Sequence, residues 1–134
     1  MKKYIVFGAV LLTLAFIASS AGGLAMNGST NAQQPTSASL VQLIANPTAY
    51  DGKFVRVIGF ASVKFEGTAV YLHQDDYKYH ITKNGLWLAI DSEQQQKFDQ
   101  RYVLIEGTFD AESFGHRGLY SGAIRDIKRL QAWP

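Results

Sequence analysis

Hydrophobic and polar positions alternate in three different ways along this chain. Met1-Lys2-Lys3 is followed by an uninterrupted apolar run, Tyr4 to Ala18, that carries no charge. After Met26, residues 27–38 hold only Asn, Gly, Ser, Thr, Gln, Ala and one Pro. From Ser39 onward short apolar periods recur, broken by turn signals. The first has a helical period, with Leu40, Leu43 and Ile44 at i, i+3 and i+4. Ser39-Leu40-Val41-Gln42 opens it as a capping box, in which Ser and Gln each satisfy an orphan backbone N–H. Pro47 disfavours helical backbone at Asn46 and ends the helix. Tyr50-Asp51-Gly52-Lys53 then turns the chain.

The later periods are those of strands. Over Phe54–Phe65, Val55, Val57, Ala61, Val63 and Phe65 share one parity while Phe54, Ile58 and Phe60 share the other. Apolar residues on both faces suit a long strand that bends from one half of a barrel into the other. Gly59, in mid-strand, predicts a bulge or sharp coil. Glu66-Gly67 turns the chain into strands over Thr68–His73 and Leu86–Ile90. Tyr77–Asn84 reads as a loop with some extended structure, closed by the hairpin signal Asn84-Gly85. Ser92-Glu93-Gln94-Gln95 fits a second capping box and predicts a short helix to Asp99. Strands over Arg101–Phe109 and Leu119–Leu130 complete the set, with a bend at Gly107 and a slip of the apolar period at Arg125-Asp126. The order β-β-β-α-β-β after a short N-terminal helix is that of a five-stranded oligonucleotide/oligosaccharide-binding (OB) fold barrel, all-β with minor helix. A small β-sandwich is the alternative.

The ends of the chain add a destination. A positive start, an apolar run and the small residues Ser19-Ser20-Ala21-Gly22-Gly23-Leu24-Ala25 predict a signal peptide over residues 1–25, cleaved after Ala21 or Ala25. The alternative is an uncleaved anchor, for which a span wants about 20 apolar residues. Residues 26–38 read as a flexible linker and residues 39–134 as one domain. The expected localisation is exported, periplasmic or extracellular. With no cysteine the chain has neither disulfides nor a lipid anchor on cysteine, so its core alone must stabilise it. The 13 Lys and Arg against 11 Asp and Glu give a formal charge of +2. Loss of Lys2 and Lys3 would leave a neutral domain, which argues against nucleic acid as a partner.

Candidate chemistry is sparse. His73, His80 and His116 form no compact ligand pair, so no metal or other cofactor is predicted. No Gly-x-Ser-x-Gly elbow is present. The segment from Gly115 to Gly122 places His116, Arg117 and Tyr120 among glycines, as either a plain hairpin or a rim loop that meets a ligand. Tyr71, Trp87 and Tyr120 are candidates for core, barrel wall or an exposed stacking platform.

Across nearly all of the folded part, several segments resemble a family of small, uncharacterised exported bacterial proteins with an OB-fold-like domain. They include Phe65-Glu66-Gly67, Tyr71-Leu72, Asn84-Gly85-Leu86-Trp87, the run Tyr102–Phe109, and Gly115-His116 through Tyr120-Ser121-Gly122. The resemblance implies the fold and no reaction. With the reading of the residues it nominates Glu66, Tyr71, Asn84, Trp87, His116 and Tyr120 as ligand-binding candidates. The expected function is a non-enzymatic binding module for a protein, peptide or sugar-like ligand in the cell envelope. The alternatives are an oligonucleotide-binding domain and a hydrolase or metal-dependent enzyme using His116 with Glu66 or Asp110.

Overall fold

A computed structural model describes residues 32–134. The segment read as a signal and the first part of the linker lie outside the described residues. Within the remainder of that linker, Thr36–Ser37 (β1) pairs in parallel with the next strand, Thr36 opposite Val55 and Ser37 opposite Arg56. The predicted helix is present as α1 (Leu40–Ala45). The Gln42 amide donates to Ser39 Oγ at 3.2 Å, and the Ser39 amide donates to Gln42 Oε1 at 2.8 Å. It ends before Pro47, which starts the single turn α2 (Pro47–Tyr50).

Five strands make the barrel: β2 (Phe54–Ser62), β3 (Ala69–Tyr71), β4 (Gly85–Leu88), β5 (Arg101–Asp110) and β6 (Ala123–Ala132). β2 runs antiparallel to both β3 and β5, β3 antiparallel to β4, and β6 antiparallel to β5, while β4 and β6 are parallel. The pairing therefore closes as β2-β3-β4-β6-β5 and back to β2. One parallel pair in an otherwise antiparallel closed barrel of five strands is an OB-fold-like arrangement. Val55, Val57, Ala61 and Val63 point inward, with Val70, Leu86, Leu88, Val103, Ile105, Phe109 and Ile124 opposite them. Leu40 and Leu43 of α1 join this cluster, so the helix seals part of the core.

Several expectations are corrected. Phe65 shares the inward parity, yet it is 86% exposed. β2 has already ended, because the Val63 amide leaves the ladder for Asp99 Oδ1 at 2.8 Å. Gly59 makes no bulge: it sits in unbroken register opposite Val103. The slip at Arg125-Asp126 is real, and the register jumps from Thr108↔Arg125 to Glu106↔Arg129 around Asp126, whose φ is 49°. The helix over Ser92–Asp99 reduces to a 3-10 turn at Gln96–Phe98. Phe98 is its one buried residue, and Gln96 and Asp99 bond to Val63 instead of supporting a helix. So short a segment does not hold a helix without an apolar face to dock.

The largest departure is at Tyr77–Asn84. The chain from Gln74 to Lys78 is helical (α3), followed by a 3-10 turn at Thr82–Asn84. The cap is an unusual one. His73 Nδ1 accepts from the Asp75 amide at 3.3 Å and Asp76 Oδ2 accepts from the His73 amide at 3.0 Å. Asp75 and Asp76 in the first turn and Lys78 in the last suit the helix dipole. Gly85 is not part of a hairpin turn; it begins β4 in extended backbone.

Candidate functional site

Strand register gathers the nominated aromatics on the outer face of the barrel. Ala69 and Tyr71 point outward from β3, opposite Trp87 and Gly85 of β4, so each large ring faces a small partner. Phe60 of β2 lies between Tyr71 and Tyr102 of β5. From these positions a row of rings runs across the face. Centroids are separated by 5.4 Å for Tyr102–Phe60, 5.8 Å for Phe60–Tyr77 and 5.9 Å for Tyr77–Tyr71. Tyr71–Tyr120 and Tyr120–Trp87 continue it at 6.2 Å and 5.7 Å. Such tilted and edge-on pairs lie in the favourable range for aromatic contact.

The row is largely roofed over. Tyr71 and Tyr120 are each 5% exposed, and their hydroxyls meet at 3.4 Å. Tyr77 of α3 covers one side. The Lys64 ammonium bonds to the Tyr77 hydroxyl, which holds Lys64 above its ordinary pKa. The loop of residues 111–122 covers the other side. Gly115, at φ 64°, rests against Trp87, where a Cβ would come within 2.6 Å of the Trp87 Cβ. Tyr71 and Tyr120 therefore form a second small core with Ala69, flanked by Tyr77 and Trp87, and leave no face free for stacking.

The roof is tied down on both sides. Asn84 Nδ2 donates to Asp76 Oδ1 at 2.8 Å, anchoring α3, while the Asn84 carbonyl accepts from the Leu72 amide at 3.0 Å. Ser121 Oγ donates to the Lys83 carbonyl at 2.7 Å, and the Ser121 amide to the Gly85 carbonyl at 3.1 Å. Lys83 Nζ reaches back to the carbonyls of Tyr120 and Gly118 at 3.3 and 3.4 Å. Residues 79–85 and 111–122 thus form one rim, which exposes Ile81 at 45%, Phe114 at 48% and Leu119 at 43%.

The structure so brings Tyr71, Asn84, Trp87 and Tyr120 onto one face, with half-buried His116 in the same roofing loop. Glu66 stands apart, exposed in the turn between β2 and β3. His116 is in no ion pair among the described residues. Asp110 is engaged by the Glu112 and Ser113 amides and by Arg125, so it does not meet His116 as a catalytic pair. No group of three His, Cys, Asp or Glu among the described residues is placed to hold a metal ion. Sequence reasoning missed Phe60, Tyr77, Lys83 and Phe114. Only Phe60 carried a signal, its outward parity on β2.

Burial first, and the Tyr120 hydroxyl second, push the Tyr71 hydroxyl above the ordinary tyrosine value of 10.0. The folded protein therefore keeps this proton where the unfolded chain releases it. The stability it confers is complete below pH 10.0 and falls as pH rises beyond that value. In urea denaturation across the alkaline range, Tyr71→Phe should show a shallower decline than the parent. Equal declines would show that Tyr71 is not the group responsible.

No protein-family model matches the chain, and no curated protein matches it. Among solved structures, a protein assigned as an aspartyl-tRNA synthetase from Leishmania major Friedlin aligns with 80% of this chain at 12% identity and a TM-score of 0.43. The chain spans 22% of that protein's length. The OB-fold-like assignment stands on the strand pairing itself.

Proposed function

We propose that the protein is an exported, non-enzymatic binding module for a protein, peptide or sugar-like ligand of the cell envelope, held at the rim of residues 79–85 and 111–122. One observation carries this reading: two loops locked together by Lys83 and Ser121 expose Ile81, Phe114 and Leu119. Single exposed apolar residues are ordinary on a protein surface. Several of them on a tied rim are a contact surface already ordered, so binding there costs little further conformational entropy. Two aliphatic side chains and one aromatic, with no polar group committed among them, suit a protein or peptide better than a sugar, which needs hydrogen-bonding partners. The export-type leader and the resemblance to small exported bacterial proteins support the location.

The test compares the parent with a Phe114→Ser, Leu119→Ser double variant by cross-linking in intact bacterial cells. Both side chains are exposed, so the melting temperature should stay within a few degrees, roughly. A partner captured by the parent should fall about tenfold or more in the variant. Equal capture by both proteins, or no reproducible partner, refutes the rim as a binding surface.

A further inference from the structure

A second feature lies on the outer face of β2, β5 and β6. Register aligns Arg56, Glu106 and Arg129 across the three strands, with Phe54 opposite Thr108 beside them. Glu106 is nearly buried, its side chain 12% exposed, and a single oxygen, Oε1, accepts from both neighbours. Arg56 Nε is at 2.7 Å and Arg129 Nη1 at 3.2 Å. The two guanidiniums are used differently. Arg129 gives Nε and Nη2 to Gln131 Oε1 at 2.9 and 2.7 Å. Arg56 commits only Nε among the described residues, which leaves both its Nη groups free to donate.

These residues line a cavity of about 520 Å³, walled on the far side by the segment leading into β1 with Gln34 and Pro35. The Lys128 side chain also lines it and makes no hydrogen bond or ion pair among the described residues. Three cations against one carboxylate leave a formal excess of two positive charges around the cavity. The volume falls in the range of small-molecule sites. If Glu106 served only to neutralise the outer face, one carboxylate between two arginines, with a lysine beside them, would be too few. Its geometry does something more specific. The Nε bond orients the Arg56 fork and leaves its outer edge unfilled, which is the edge that grips two oxygens of a carboxylate or phosphate with two parallel bonds.

We propose that this cavity binds an organic oxyanion, a carboxylate or phosphate monoester on an apolar or planar body. Arg56 and Lys128 hold the anion, Glu106 orients Arg56, and Phe54 with Pro35 packs the body. The site is on a different face from the tied rim, and its occupancy does not depend on the rim having a partner.

Titration of the full-length chain with phenyl phosphate, benzoate, inorganic phosphate and phenol, followed by amide NMR shifts, tests the proposal. Phenyl phosphate or benzoate should give saturable shifts at Phe54, Arg56 and Lys128, and the tighter of the two identifies the anion. Inorganic phosphate should bind about tenfold more weakly, and phenol should not saturate. Lys128→Gln and Arg56→Gln should each weaken binding about tenfold or more. Lys128 is in no ion pair, so its variant separates ligand loss from a folding defect. Failure of both aromatic anions to saturate at millimolar concentration overturns the proposal, as does binding indifferent to Lys128→Gln. Inorganic phosphate binding as tightly as phenyl phosphate would overturn the role of Phe54.

Discussion

Phe109→Ala should destabilise the barrel by about 3–5 kcal/mol, the largest effect expected of any single side-chain truncation in this protein. Phe109 is fully buried in the main core, with Val55, Ile105 and Ile124 in the same cluster. Its backbone is fixed independently of the ring: its amide donates to the Lys53 carbonyl at 3.0 Å and its carbonyl accepts from Gly52 at 2.9 Å. Truncation therefore empties the ring's volume without releasing the strand, and a closed barrel has little freedom to collapse into the space. Domains of this size are stable by about 5–15 kcal/mol, so a large fraction is at stake. Urea denaturation should show a lowered midpoint with an unchanged slope. A loss below about 1 kcal/mol would mean that the core repacks around position 109.

Gly59→Ala should cost up to about 3 kcal/mol, through overcrowding and not through backbone strain. A Cβ there would lie 2.5 Å from Val70 Cγ2, 2.6 Å from Leu40 Cδ1 and 2.7 Å from the Tyr71 carbonyl oxygen. The two methyl groups belong to side chains, which can yield by a change of rotamer. The carbonyl oxygen belongs to β3 and moves only with the strand. Part of the cost is therefore the displacement of Leu40, the residue through which α1 enters the core. Combining Gly59→Ala with Leu40→Ala should cost measurably less than the sum of the two, because the shorter side chain relieves the clash. Strict additivity in denaturation measurements would show that Leu40 does not oppose the new methyl group.

The capping box at Ser39 and Gln42, the end of α1 before Pro47 and the period slip at Arg125-Asp126 were all legible in the sequence. Each is written in residues within four positions of one another. The two parities of β2 were legible for the same reason, since strand alternation has a fixed period. That Val55, Val57, Ala61 and Val63 face the core while Phe65 of the same parity lies exposed came from the structure. α3 was not, because its cap is a histidine instead of the usual Ser or Thr, and its anchor, Asn84 on Asp76, joins it to the start of the next strand. The alternation of Tyr77, Tyr79 and Ile81 imitated an extended segment. Here Tyr77 turns onto the aromatic row while Tyr79 is 64% exposed.

The candidate site divides along the same line. Sequence singled out Tyr71, Trp87 and Tyr120 as aromatics of undecided facing. Their convergence, and their burial under α3 and the 111–122 loop, came from the pairing of β3 with β4 and of β4 with β6. The Arg56–Glu106 pair spans 50 positions and Arg129–Glu106 spans 23, and no local period relates them. What the sequence by itself determined was the order of the five barrel strands, the cap and end of α1 and the two parities of β2, since short-range sterics and periodicity encode these. Tertiary structure alone decided which outward residues meet, which are roofed and which charges face a cavity. Those depend on how distant strands register when the barrel closes.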